Sequence, residues 1–139
     1  MKPEELIRLA EKTKEKAYVP YSKFHVGAVL VTESGDIYEG CNIENASYPL
    51  TNCAERTAFF KAVSEGEKNF KAIAIVGDKN PCYPCGACRQ VMAEFCGKDF
   101  EIILSSDDGI KIFKLSELLP YSFELWTNIT EIQKYFHKS

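Results

Sequence analysis

The sequence lacks the features that mark several classes of protein. No hydrophobic run approaches the roughly 20 residues of a membrane span, and no apolar run follows the charged N-terminal residues as in a signal peptide. We therefore expect a cytoplasmic protein with no membrane partner. The 17 basic residues are outnumbered by 20 acidic ones, so no net positive charge is available to grip nucleic acid phosphates. Nucleic acid is accordingly not an expected partner.

Histidine is scarce, whereas cysteine is not. The two histidines have no ligand partners nearby in sequence, and we do not expect either to bind a metal. The six cysteines are Cys41, Cys53, Cys82, Cys85, Cys88 and Cys96. In a reducing compartment, clustered cysteines more often bind metal or take part in catalysis than form disulfides.

The length and the hydrophobic pattern predict a single domain spanning residues 1–139. Helices are expected at 3–17, 52–64, 86–95 and 129–139, a helical turn at 115–119, and strands at 24–32, 37–44, 70–77, 101–105 and 110–113. A hairpin followed by right-handed β-α-β crossovers implies a mixed sheet with helices on its faces. The predicted fold class is α/β, a three-layer α/β/α sandwich around about five strands.

Three cysteines have the positions expected of metal ligands. Cys85 and Cys88 are three residues apart, so both sulfurs can point from one face of a first helical turn. Cys53 lies at the corresponding end of another predicted helix, and the partial positive charge of helix N-termini favours the thiolate form. Three protein ligands leave one position of a tetrahedral zinc open for water, as in catalytic rather than structural sites.

Two residues after Cys53, the carboxylate of Glu55 is placed to act beside that water without binding the metal. A glutamate after the first ligand, followed later by Pro-Cys-x-x-Cys, is the signature of zinc deaminases. Three thiolates carry more negative charge than one zinc ion neutralises, so positive groups are expected nearby. Arg56 can reach back to a cysteine sulfur, and Arg89 is a lesser candidate for the same role.

Two other interpretations of the cysteines remain open at this point. Cys82 and Cys85 form a second Cys-x-x-Cys pair typical of a redox motif, although that interpretation leaves Cys53 and Glu55 without a purpose. Cys82 could instead close a four-cysteine structural zinc site. Cys41 and Cys96 are expected to be small buried hydrophobic residues.

The sequence resembles the small homotetrameric cytidine deaminases between about residues 18 and 123. The matching segments are 24–28, 40–49, 53–58, 84–92 and 118–123. The resemblance implies one zinc ion per subunit and a homotetramer whose active sites are completed by neighbouring subunits. It implies a small-molecule substrate and a role in pyrimidine salvage. Cytidine and deoxycytidine would be deaminated by attack of zinc-bound hydroxide at C4, with Glu55 as the proton shuttle.

The same resemblance implies roles for six substrate-binding residues. Asn42, Ile43 and Glu44 belong to the ribose-binding segment, and we expect the Asn42 and Glu44 side chains to share one face of a strand. Phe24 packs against the pyrimidine, the backbone of Ala54 reads the base, and Phe123 reaches into a neighbouring subunit's site. An aminopyrimidine antibiotic such as blasticidin and a base within nucleic acid are the rival substrates. Trp126 and the predicted helix at 129–139 have no counterpart in the resemblance.

Overall fold

The computed structural model describes residues 1–124, so the predicted helix at 129–139 and Trp126 lie outside the described residues. The strands are β1 (Val26–Thr32), β2 (Ile37–Cys41), β3 (Phe70–Gly77), β4 (Glu101–Leu104) and β5 (Lys111–Lys114). The helices are α1 (Pro3–Lys14), α2 (Ala54–Ser64), α3 (Gly86–Phe95) and α4 (Leu115–Leu118), with a 3-10 turn at Tyr48–Leu50. No helix among the described residues is both long enough and apolar enough to cross a bilayer.

The strands form one mixed sheet in the order β2-β1-β3-β4-β5. Only the β3–β4 pair is parallel, and it is connected through α3; the other three pairs are antiparallel. Successive side chains of a strand point to opposite faces, so the buried strands build two cores. This arrangement confirms the predicted mixed five-stranded sheet.

Helices cover both faces of the sheet. On one face, α1 packs through Leu6 and Ala10 against the side chains of Val29 and Ala74. On the other, α2 and α3 pack against the opposite side chains of the same strands, and Phe59 lies at the centre of this larger core. Phe59 is fully buried and in contact with the rings of three other phenylalanines. The predicted three-layer α/β/α sandwich is therefore confirmed.

Several element ends differ from the predicted ones. Helix α1 stops at Lys14 rather than residue 17, and α2 starts at Ala54 rather than residue 52. Strand β1 starts at Val26 rather than residue 24, and β2 ends at Cys41 rather than residue 44. The start of β1 and the end of β2 were predicted wrongly because hydrogen bonds of the Asn42 side chain replace the strand ladder there.

The start of β1 and the ends of β2 and β3 lie at the same end of the sheet. The register pairs Val26 with Gly77 and Gly27 with Cys41. Helix α2 lies very close to β2: a Cβ added to Gly40 would be only 2.4 Å from the carbonyl oxygen of Ala54. This end of the sheet therefore brings the start of α2 next to the segments that leave the strands.

Candidate active site

The starts of α2 and α3 bring three cysteine sulfurs together. Cys53 is the N-cap residue of α2 and Cys85 is the N-cap residue of α3, while Cys88 lies in the first turn of α3. The Sγ atoms of Cys53 and Cys85 are 3.8 Å apart, and those of Cys85 and Cys88 are 3.5 Å apart. All three sulfurs lie within 4.8 Å of one another. The three predicted ligands thus form one cluster.

The spacing of the sulfurs fits a zinc ion. Ligands at the usual Zn–S distance of about 2.3 Å in a tetrahedron are about 3.8 Å apart, close to the observed separations. Cys85 is exposed and Cys53 is half-buried, so one side of the cluster faces outward. Three sulfurs in this arrangement can hold the metal and leave its fourth position open to solvent or substrate.

The protonation of the cluster also indicates a cation site. The hydrogen bond from the Cys88 thiol, reinforced by Arg56 and opposed by burial, lowers the pKa of Cys53 to about 5. Donation to Cys53, together with burial, raises the pKa of Cys88. Without a cation, the thiol of Cys88 therefore shares its proton with the sulfur of Cys53. A divalent cation bound here would stabilise the thiolates and displace that proton.

Arg56 and Glu55 lie beside this cluster on the first turn of α2. The Arg56 guanidinium donates a 3.0 Å hydrogen bond from Nη2 to the Sγ of Cys53, as the sequence predicts. Glu55 is only 5% exposed. Burial raises the pKa of its carboxyl group to about 7, a hydrogen bond from its own backbone N–H opposes that rise, and the negative charge at Cys53 adds to it. A carboxyl group in this environment is suited to both accepting and donating a proton.

Cys82 does not belong to the metal cluster. Among residues 1–124, the potential ligand atoms that come together are those of Cys53, Cys85 and Cys88. The Cys82 side chain lies against Gly77, where an added Cβ would be 2.9 Å from its sulfur. Burial, together with the charges of Glu55 and Cys53, raises the pKa of Cys82 to about 11. A closed four-cysteine site with Cys82 as the fourth ligand is therefore not the arrangement found.

The predicted sugar-binding segment runs directly alongside the metal cluster. Ile43 pairs with Asn52 through two backbone hydrogen bonds of 2.9 Å, which places the segment one residue away from Cys53. However, β2 ends at Cys41, so Asn42 and Glu44 do not share the face of a strand as expected. Both side chains instead hold the loop that precedes β1.

The contacts of Asn42 leave part of its amide free for a ligand. The Asn42 amide donates to the carbonyl oxygen of Phe24 at 2.8 Å and accepts from the N–H of Val26 at 2.9 Å. An amide has two donors and two acceptor lone pairs, so one of each remains. One oxygen of Glu44, Oε1, accepts from the N–H groups of Tyr21 and Ser22. The sugar-binding roles of Asn42, Ile43 and Glu44 stay predictions.

The remaining predicted substrate residues have different environments. Ala54 is fully buried at the start of α2, and Phe24 is half-buried just before β1. Phe123 is 69% exposed, and its carbonyl oxygen accepts a 3.2 Å hydrogen bond from Nε2 of Gln90. An aromatic ring exposed to this extent is available to a neighbouring molecule, and the role of Phe123 in a neighbouring site stays a prediction.

Sequence reasoning missed one residue that shapes this region and assigned another to the wrong contact. Asp78, immediately after β3, accepts hydrogen bonds from both the backbone and the ring of His25. Arg89, considered only as a neighbour of the metal, donates instead to the carbonyl oxygens of Pro84 and Leu118. The only available signal for Asp78 was its position at the end of a buried strand, where polar residues are common.

Two helix starts thus bring together three sulfurs and a buried carboxyl group. This arrangement is typical of hydrolytic metalloenzymes in which the metal keeps one open position. Comparison with known proteins identifies the family. The profile of the cytidine and deoxycytidylate deaminase zinc-binding region matches residues 1–104. The chain belongs to the cytidine and deoxycytidylate deaminase family.

Individual relatives agree with this assignment. A cytidine deaminase of Sporosarcina psychrophila is 56% identical over 125 residues, which cover 88% of this chain and 92% of the relative. The crystal structure of a cytidine deaminase from Burkholderia pseudomallei superposes with a TM-score of 0.84 at 48% identity, covering 88% of this chain and all of that one. A blasticidin-S deaminase of Bacillus cereus is more distant, at 31% identity over 130 residues, covering 84% of this chain and 91% of the relative.

Proposed function

We propose that this chain hydrolyses cytidine and deoxycytidine to uridine and deoxyuridine, with release of ammonia. The observation that carries the proposal is the burial of Glu55 beside a cluster of three cysteine sulfurs with one open side. Membership of the cytidine and deoxycytidylate deaminase family and 56% identity to a cytidine deaminase support the same substrate class.

Cys53, Cys85 and Cys88 would hold one zinc ion per subunit. That ion, when bound, supplies the Lewis acidity that makes a water molecule nucleophilic at neutral pH. Arg56 lowers the negative charge of the three sulfurs through its hydrogen bond to Cys53, so it limits the loss of Lewis acidity that thiolate ligands cause.

Glu55 would move the protons of the reaction. Its carboxylate takes a proton from the attacking water and passes it to N3 of the pyrimidine as the new C4–O bond forms. It then transfers the second water proton to the exocyclic amino group, which leaves as ammonia as the C4–N bond breaks. Water thus contributes the C4 oxygen and the N3 proton of uridine and the third hydrogen of ammonia. The raised pKa of Glu55 suits this alternation between base and acid.

The residues around the metal cluster would position the nucleoside. The free donor and acceptor of Asn42 and the second carboxylate oxygen of Glu44 are suited to sugar hydroxyls, with Ile43 between them. Phe24 would pack against the pyrimidine ring, and the Ala54 backbone would face the base next to Glu55. Phe123 would complete a neighbouring subunit's site in a homotetramer. We also infer a cytoplasmic enzyme of pyrimidine salvage.

Ultraviolet absorbance tests the proposal directly. The absorbance is followed on the long-wavelength side of the cytidine band, where uridine absorbs less than cytidine. We expect it to fall when the purified protein is mixed with cytidine or deoxycytidine and to stay constant with adenosine. Blasticidin S is the fourth substrate to assay because of the 31% identical relative. Turnover of blasticidin S without turnover of either pyrimidine nucleoside would assign the site to that antibiotic instead.

Glu55→Ala is the matched control for this assay. Removal of the carboxyl group should lower kcat by at least the roughly 10²–10⁴-fold typical of general acid–base catalysis, while the zinc content stays equal to that of the unmodified protein. The ligands Cys53, Cys85 and Cys88 are untouched by the change, which is why metal is expected to remain. Near-normal turnover by the variant would exclude Glu55 as the proton carrier.

A further inference from the structure

The segment before β1 is a tightly organised loop, which we call the Phe24 loop (residues 19–25). Its first part closes through a 3.0 Å hydrogen bond from the N–H of Lys23 to the carbonyl oxygen of Val19. Lys23 has a φ of 62°, a left-handed conformation that is unfavourable for a residue with a side chain. Such a conformation persists only where surrounding contacts enforce it, so the residues that hold this loop are important for its shape.

Side chains of the residues that directly follow two different strands hold the end of this loop. From the β2 side, Asn42 bonds to the carbonyl oxygen of Phe24 and to the N–H of Val26. From the β3 side, Asp78 Oδ2 accepts from the N–H of His25 at 2.7 Å and from its ring Nδ1 at 2.9 Å. Backbone groups of three consecutive residues are therefore fixed, and Asp78 provides the contact to the centre of the sheet.

Asp78 is itself well anchored. It directly follows Gly77, the last residue of β3, whose N–H and carbonyl groups both bond at 3.0 Å to the side-chain amide of Asn80. The other carboxylate oxygen, Oδ1, lies 3.4 Å from Nζ of Lys14 at the end of α1. The carboxylate therefore links the Phe24 loop to a turn of fixed geometry.

We propose that Asp78 is a positioning residue for the base of the substrate, because it fixes the backbone next to Phe24 through its hydrogen bonds to His25. The inference rests on the proposed function, in which Phe24 packs against the pyrimidine. Asp78 itself does not touch the reacting atoms in this mechanism. Its loss should therefore weaken the binding of nucleoside without disabling the proton transfers of Glu55.

Kinetics of Asp78→Ala test this proposal on the full-length, zinc-loaded protein. We expect KM for cytidine to rise about tenfold, as for loss of a hydrogen bond to a charged group, and kcat to change by less than about threefold. Asp78→Asn keeps an oxygen acceptor for the N–H of His25 and should recover most of the lost affinity. Lys14→Met removes the ion pair with Asp78 but not the bonds to His25, so its KM should stay within about twofold of normal.

A double-mutant cycle separates positioning from a general structural role. If Asp78 acts through Phe24, then adding Asp78→Ala to Phe24→Ala should leave KM unchanged, because the ring being positioned is already absent. The proposal would be overturned if KM of the double variant rose by the product of the two single-variant factors, or if KM of Asp78→Ala were normal. If Asp78→Ala does not fold, the same cycle is run with Asp78→Ser, whose shorter side chain is a poorer acceptor for His25, and additivity of its effect with that of Phe24→Ala overturns the proposal.

The outcome also separates this inference from the proposed function. Absence of cytidine turnover by the unmodified protein would contradict the proposed function itself. Normal turnover by the unmodified protein together with an unaltered KM in the Asp78 variants would contradict only the positioning role.

Discussion

Three sulfur atoms within 4.8 Å of one another concentrate negative charge once a metal has displaced their protons. Arg56 is the cation in direct contact with this cluster, through its 3.0 Å hydrogen bond to Cys53. Its position three residues after Cys53 on α2 brings the guanidinium back over the start of the helix. A residue of the same helical turn therefore offsets part of the negative charge at the site.

Replacement of Arg56 should weaken metal binding. We expect Arg56→Ala to lower the zinc affinity about 10–100-fold, the usual effect of losing a partner that hydrogen-bonds to a ligand. Competition with a chelator of known affinity measures this change. Arg8→Ala, a change of the same size on the exposed part of α1, is the matched control and should leave the affinity unaltered. Equal zinc affinities of Arg56→Ala and the control would show that Arg56 does not contribute to metal binding.

The residues of the metal cluster were predictable because their signal is local. Cys85 and Cys88 are three residues apart, and Arg56 follows Cys53 by three, so helical geometry alone brings each pair together. The contacts of Asn42 and Asp78 were not predictable in this way. Their partners lie 18 and 53 residues away in sequence, and only the folded sheet brings them into contact.

At the scale of elements, the position of Cys53 depends on how closely α2 approaches β2. The Gly40 backbone lies under the first turn of α2, and a Cβ added there would be 2.4 Å from the carbonyl oxygen of Ala54 and 2.6 Å from the N–H nitrogen of Ala58. Contacts of that length with backbone atoms require the helix to move. The absence of a side chain at Gly40 thus allows α2 to place Cys53 next to Cys85.

Gly40→Ala should therefore destabilise the protein. We expect the free energy of unfolding to fall by about 1–3 kcal/mol, the usual cost of overpacking, with a loss of bound zinc as α2 shifts. Urea denaturation followed by circular dichroism measures the first effect and metal analysis the second. Gly86→Ala makes the same change beside Cys85, where an added Cβ meets nothing within 4 Å, so its stability should be normal. Similar stabilities of the two variants would show that the close approach is not required.

The order of elements was predictable, but some of their ends were not. The periodic segments that form β3 and α3 were predicted with the bounds that the structure has. Strand β2 was predicted to reach residue 44, yet it ends at Cys41 because the side chain of Asn42 takes the N–H of Val26 that would continue the ladder. A hydrogen bond of this kind competes with secondary structure and leaves no periodic signal in the sequence.

At the scale of the whole molecule, helix α3 holds both the end of α4 and the surface segment that follows it. Arg89 Nε donates to the carbonyl oxygen of Pro84, next to Cys85, and its Nη1 donates to that of Leu118. The following residue of α3, Gln90, donates to the carbonyl oxygen of Phe123. Helix α3, whose start carries two of the three clustered sulfurs, therefore also holds the backbone of an exposed aromatic residue. The hydrogen bond from Gln90 thus fixes the backbone position of Phe123 while its ring stays exposed.

If Phe123 completes the site of a neighbouring subunit, Phe123→Ala should lose most activity while zinc binding and oligomeric state are retained. Mixed oligomers test whether the contribution comes from the neighbour. Glu55→Ala subunits have an intact Phe123, and Phe123→Ala subunits have an intact Glu55, so neither variant alone can form a complete site. After co-expression in equal amounts, about a quarter of the sites would combine Glu55 from one subunit with Phe123 from the next, because each is intact in half of the subunits. Recovery to about that fraction supports completion between subunits, whereas no recovery would mean that Phe123 acts within its own chain.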